Sequence, residues 1–222
     1  MSTKSSSAKS KNRMAPTKAA DRRRVVMFAG AAVLVLGALV AIFLAARSGK
    51  SGAGAYAFQV GTPGPGQIAP PIQLQSTTGG TFQLSGSRGK TVLLYFQEGL
   101  TCQPCWDQLK AIEQDLPRFQ AMGIDEVVTI TSDPLGALKQ KASDEGLTTP
   151  ILSDPNLAVS ATYHANSYGM MGNSRDGHTF IVVGPDGVIR WRADYGGPPN
   201  FTMYLPVDVL LGDIQQGLKA SV

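Results

Sequence analysis

Cys102 and Cys105 are the two cysteines of the 222-residue chain, three positions apart in LTCQPCWDQL. Sulfur at that spacing can close a loop, hold half of a metal site, or pass electrons. A cross-link stabilises mainly by shortening loops of the unfolded chain, and a loop this small gains little. A structural zinc site needs four ligands, and no second C-x-x-C exists. His164 and His178 lie 14 positions apart, which is not the spacing of a Cys2His2 finger. Electron transfer fits the surroundings better. The pair follows the apolar run TVLLYFQ, 91–97, and opens a segment with helical spacing. Residues three apart on a helix share a face, within reach of disulfide geometry. The first cysteine then sits at a helix N-terminus, where free amides and the helix dipole favour thiolate over thiol. Cys102 is therefore expected to attack, and Cys105, one turn inside, to resolve the mixed disulfide. Pro104 suits a first-turn position, since it gives up an amide the helix would not use.

Other side chains nearby can take part. A buried carboxylate at Glu98 can accept the proton when Cys105 attacks, although a solvated loop glutamate fits the sequence equally well. Trp106, in the first turn, can flank a substrate surface or pack inside. Tyr163 and His164 end a predicted helix and read as packing residues. Met170 and Met171 read as loop or packing residues. The stretch DYGGPPNFTMY, 194–204, is dense in Gly, Pro and aromatics, and its place is left open.

The elements that must position these residues follow from patterning. IQLQSTTGGTFQL alternates around Gly79-Gly80, a hairpin signature. Residues 91–97 and VVTITS, 127–132, are continuous apolar runs suited to strands buried on both faces. Trp106 to Met122 has helical spacing through Leu109, Ile112, Leu116 and Phe119. Pro134 to Glu145 reads as a helix and PILSD as a short strand. DPNLAVSATYHA reads as a helix capped by Asp154 with Pro155 in its first turn. HTFIVVGPDGVIRWRA is a hairpin about Gly184-Pro185-Asp186-Gly187, and LPVDVLLGDIQQGL closes the chain as a helix. Strands alternating with helices make an α/β domain, expected over 68–222.

Charge is unevenly placed. Residues 1–24 hold eight Lys or Arg and one Asp, a charge of +7, so the rest of the chain carries −3 of the total +4. The basic character belongs to a tail, and no nucleic acid partner is expected. Val25 to Ala46 follow with no charged residue, long enough to span a bilayer. A cleaved signal has a shorter apolar region, and AYA at 55–57 lies well past this one, so an uncleaved anchor is favoured. The basic tail should stay cytoplasmic. The expected organisation is a cytoplasmic tail (1–24), a single transmembrane helix (25–46), a flexible Gly/Ser/Pro linker (47–67) and an extracytoplasmic domain on a bacterial cell membrane.

The strand–C-x-P-C–helix of VLLYFQEGLTCQPCWDQL resembles the thioredoxin-like superfamily. With LSGSRGKTVLLYF, VVTITSD, PILSDPN and HTFIVVGPDGVIRW, it is most similar to the membrane-anchored redoxins of the alkyl hydroperoxide reductase / thiol-specific antioxidant group. The resemblance covers about residues 58–218. It implies a thioredoxin-like α/β fold: a central mixed sheet flanked by helices, with an N-terminal hairpin extension. It also implies thiol–disulfide exchange with protein dithiols or disulfides, no cofactor, and a membrane thiol donor of electrons. Substrate contacts are implied at Pro104, Trp106, Gly177 and His178. The chain departs from its relatives at two places. Gly177-His178 stands where thioredoxins carry a cis-proline, and the P-x-x-x-T-x-x-C signature of peroxiredoxins is missing. Counted back from Cys105, the Thr position holds Cys102 and the Pro position Glu98; counted from Cys102, they hold Gly99 and Tyr95. Peroxide reduction is thus the lesser alternative. A further alternative is a Sco-like copper carrier using Cys102, Cys105 and His178. The softness of thiolates suits Cu(I), but Sco proteins use C-x-x-x-C.

Overall fold

The structure is a computed structural model describing residues 56–220. The expected basic tail, membrane span and first part of the linker lie outside the described residues. Among those described, no helix is long and apolar enough to cross a membrane.

The Gly79-Gly80 turn joins β1 (Gln73–Ser76) to β2 (Thr81–Gln83). Both glycines have positive φ, 100° and 68°, which side-chain-bearing residues rarely adopt. β3 (Val92–Phe96) leads into α1 (Gln103–Gln114) and α2 (Leu116–Ala121). β4 (Glu126–Thr131), α3 (Leu135–Glu145), β5 (Ile151–Ser153) and α4 (Ala158–Thr162) follow. The hairpin of β6 (Thr179–Val183) and β7 (Ile189–Asp194) and the last helix, α5 (Val207–Ala220), complete the fold. The sheet runs β2-β1-β5-β4-β3-β6-β7. β3 and β4 are parallel, as are β4 and β5, while β6 lies antiparallel to β3 and β7 to β6.

β3 is buried on both faces because each face meets its own core. Leu93 and Tyr95 join Trp106, Leu109 and Ile112 of α1 and Leu210 and Ile214 of α5. Val92, Leu94 and Phe96 face Val128, Ile130, Ile181 and Tyr163 on the other side. A strand covered on both sides has no need of alternation, so the uninterrupted apolar run is explained.

Three expectations need correction. The helix foreseen from Trp106 to Met122 begins earlier, at Gln103, and breaks at Asp115. Pro117 in the first turn of α2 lacks the amide that a continuous helix would use. Asp154 is not the cap of α4; Leu157 is, with φ +56°. The Asp154 carboxylate instead accepts the Ser160 N–H and hydroxyl at 2.8 and 2.7 Å. Residues 56–67, assigned to the linker, are docked along β7. Gln59 exchanges two backbone hydrogen bonds with Asp194 at 3.0 and 2.8 Å, and the Gly66 N–H donates to Ile189 O at 2.8 Å.

Candidate functional site

Cys102 is the N-cap of α1, and Pro104 occupies its first turn, as expected. The Cys105 N–H is shared between the Cys102 carbonyl at 3.1 Å and Cys102 Sγ at 3.2 Å, so an amide of the first helical turn reaches the first sulfur. The two cysteines are joined as a disulfide. Cys105 is fully buried and Cys102 is 5% exposed, so what little access there is belongs to the first sulfur.

The loop between β3 and α1 is held by contacts that the sequence did not disclose. The Gly99 carbonyl accepts both the Cys102 N–H at 2.9 Å and the Trp106 Nε1–H at 3.0 Å. Gly99 has φ +84°, and any Cβ there would run into Asp133 Oδ2. That same oxygen accepts the Leu100 N–H at 2.7 Å and the Thr131 hydroxyl at 3.2 Å. Arg175 bridges Asp133 Oδ1 at 2.6 Å and the Glu98 carbonyl at 3.3 Å. The Glu98 carboxylate is buried and accepts the Met170 N–H at 2.6 Å. It is thus engaged with the 168–176 loop.

Trp106 is wholly buried in the core beneath α1. The expectation that it flanks a substrate is corrected: its ring has no free face, and its N–H anchors the loop. Gly177 is buried, and a Cβ on it would strike the Tyr168 carbonyl. Its lack of a side chain is explained by this close backbone approach. His178 is fully buried, with Nδ1 3.0 Å from the Tyr95 hydroxyl. Burial alone lowers its pKa to about 3, so it is neutral. Tyr95 is pushed well above the usual tyrosine range, first by burial and then by the Glu98 charge. Among the described residues, no group of three His, Cys, Asp or Glu is placed to hold a metal ion. The copper reading through His178 therefore lacks its third ligand in this geometry.

Met203 is the contact that sequence reasoning missed. From the loop before α5 it joins the two cysteines in one buried cluster. The fully buried Gln108, one turn past Cys105, accepts the Leu205 N–H at 2.6 Å and fastens that loop to α1. The only advance sign was the Gly/Pro-rich texture of 194–204, which says nothing of its target.

Behind the site lies a buried acid. Asp176 is fully buried, and neither carboxyl oxygen has a hydrogen-bond partner among the described residues. Burial raises its pKa well above the usual range; the nearby Ser160 hydroxyl opposes this, Asp154 and Asp133 add to it, and Arg175 opposes it weakly. An unfolded aspartate gives up its proton near pH 3.9, about where the free side chain titrates. Above that pH, folding must take a proton up, so Asp176 costs increasing stability as pH rises towards its folded pKa. Asp176→Asn removes that cost. Thermal unfolding at pH 5 and pH 8 is expected to show a flatter pH dependence than the wild type and a higher Tm at pH 8. Parallel curves would refute the assignment.

A model of the AhpC/TSA family matches residues 65–192. A Mycobacterium tuberculosis protein that carries a peroxiredoxin name is 32% identical over 130 residues, 56% of this chain and 81% of that protein. Thiol-disulfide oxidoreductase ResA of Geobacillus thermodenitrificans is 30% identical over 105 residues, 47% of this chain and 57% of its own. Peroxidoxin BcpB from Mycobacterium tuberculosis has a TM-score of 0.58 at 20% identity, covering 69% of this chain and 97% of its own. The reduced 2-Cys peroxiredoxin of Plasmodium vivax gives 0.56 at 21%, covering 70% and 83%. At these identities the structural likeness speaks for the fold alone, which is thioredoxin-like.

Proposed function

Because this chain belongs to the AhpC/TSA family, we propose that it is a thiol–disulfide oxidoreductase working through Cys102 and Cys105. The observation that carries the reading is the bonded pair at the start of α1, with the Cys105 amide directed at Cys102 Sγ. In the reduced protein that amide and the helix dipole favour a thiolate at Cys102. The thiolate attacks one sulfur of a partner disulfide, and the partner's other sulfur leaves as a thiolate. Cys105 then gives up its proton and attacks Cys102 Sγ. The internal disulfide forms, and the second partner sulfur leaves with the electron pair and takes a proton from solvent. Two electrons have passed from the chain to the partner.

The domain is proposed to stand outside the cell membrane on the uncharged segment 25–46, oriented by the eight cationic residues before it. A membrane thiol donor would return the two electrons. A second reading, peroxide reduction, is favoured by the peroxiredoxin name of a 32% identical relative. Against it stands the missing P-x-x-x-T-x-x-C signature.

One experiment separates the two. The reduced full chain is mixed with equal concentrations of glutathione disulfide or hydrogen peroxide, and remaining thiols are trapped over time. Exchange predicts faster closure with the disulfide, through a glutathione adduct at Cys102. Faster closure with peroxide would replace this reading by the second. Inertness to both would remove redox chemistry altogether.

A further inference from the structure

Cys105 has neighbours that the exchange mechanism has not used. The Tyr95 hydroxyl lies 3.3 Å from the Cys105 carbonyl and 3.0 Å from His178 Nδ1. All three residues are fully buried. The Tyr95 and His178 rings meet edge to face at 5.0 Å, and Phe180 stacks on Tyr95 at 4.5 Å and meets His178 edge-on at 5.1 Å. The histidine backbone is fixed as well. Its N–H donates to Tyr168 O, and its carbonyl accepts from Tyr195 and Gly196. The imidazole is therefore clamped, and it presents one nitrogen to the phenol.

The phenol has a single proton to give. If it donates to His178, the remaining ring N–H must sit at Nε2, which has no partner among the described residues. If it donates to the Cys105 carbonyl, Nδ1 carries the ring proton and donates to the phenol oxygen, and Nε2 is a bare acceptor. A buried N–H without a partner is the rarer and costlier arrangement. The second arrangement makes a directed chain from His178 Nδ1–H to the Tyr95 hydroxyl to the Cys105 carbonyl.

We propose that Tyr95 and His178 form a positioning pair for the resolving cysteine, holding the first turn of α1 so that Cys105 meets the mixed disulfide on Cys102. This inference rests on the exchange reading and assigns a residue pair to its second step. In that step the Cys105 thiolate bonds to Cys102 Sγ, and the bond from Cys102 to the partner sulfur breaks. The departing thiolate takes up a proton from solvent in place of the one Cys105 released. Such an attack is sensitive to small displacements of the reacting atom. The first step, at Cys102, makes no use of the pair.

The test follows the two steps separately in the reduced full chain. Glutathione disulfide is added, the reaction is quenched with acid, and the glutathione adduct is followed by intact mass. Tyr95→Phe removes one oxygen and leaves the ring stacking, so it guards against misfolding. It is expected to leave adduct formation within about twofold of wild type and to lengthen adduct lifetime by about tenfold. His178→Asn can place a donor where Nδ1 stands and should keep the wild-type lifetime, whereas His178→Gln should lengthen it as Tyr95→Phe does. Equal lifetimes in all four proteins would overturn the pair while leaving exchange intact. So would equal behaviour of the Asn and Gln variants, or an equal slowing of both steps. Absence of any adduct in the wild type would instead overturn the exchange reading itself.

Discussion

Cys102→Ser brings disulfide exchange down to the uncatalysed background, a loss on the order of a thousandfold or more, because a hydroxyl cannot replace the attacking thiolate. Cys105→Ser gives a different result: the first attack proceeds and the chain stops as a stable mixed disulfide with its partner. The asymmetry follows from position. Cys102 caps α1, receives the Cys105 N–H, and holds what exposure the pair has. Cys105 sits one turn inside with none. Both variants lose the three-residue cross-link, which stabilises the oxidised chain by about 2 kcal/mol at most. Their oxidised-state Tm should therefore fall by similar small amounts, about 4–8 °C. Exchange with glutathione disulfide, followed by non-reducing electrophoresis, distinguishes them. If Cys105→Ser forms no adduct and Cys102→Ser does, the roles of the two sulfurs are reversed. A mixed disulfide trapped by Cys105→Ser in living cells would also identify the partner.

What the sequence could disclose was whatever is local. The cysteine pair, the proline between them, the buried β3 and the turn glycines each declare themselves within a few residues. What it could not disclose was whatever the fold assembles from afar. Met203 reaches the cysteines across about a hundred positions, and its type is common in any core. Asp133 and Arg175 are ordinary charged residues until the sheet brings them beside Gly99. Trp106 sits at a position that reads equally well as surface or core, and only α1's packing on Tyr95 decides for the core. Residues 56–67 have the composition of a tether, but their backbone finds partners on β7, and composition does not report backbone pairing. The break at Asp115 is the one case where a local signal, Pro117, was present and outweighed by the apolar spacing around it.

Arg192→Ala is expected to destabilise the domain more than any surface change, by about 3–5 kcal/mol, because it strands a buried carboxylate. Arg192 and Asp194 are both fully inside. Arg192 Nε and Nη2 reach the Asp194 carboxylate at 2.8–3.1 Å. Nη1 donates to the carbonyls of Pro63 at 3.1 Å and Tyr163 at 2.8 Å. Asp194 in turn accepts the Gly61 N–H and the Thr179 hydroxyl, each at 2.7 Å. One ion pair thus fastens the N-terminal arm, the segment after α4 and the two strands of the last hairpin. Lysine cannot make these bonds from a single point charge, so Arg192→Lys should recover little. Replacing both members by apolar residues should cost less than Arg192→Ala alone, since no charge is then left unpaired. The loss should also reach the cysteines. Tyr163 leads into the 168–176 loop, whose Met170 amide and Arg175 side chain hold Glu98 and Asp133. Hydrogen exchange at Leu100 and Cys102 should therefore rise in Arg192→Ala even where the domain stays folded. A cost below about 1 kcal/mol, within the range of exposed ion pairs, would mean that water reaches the pair and that it fastens nothing.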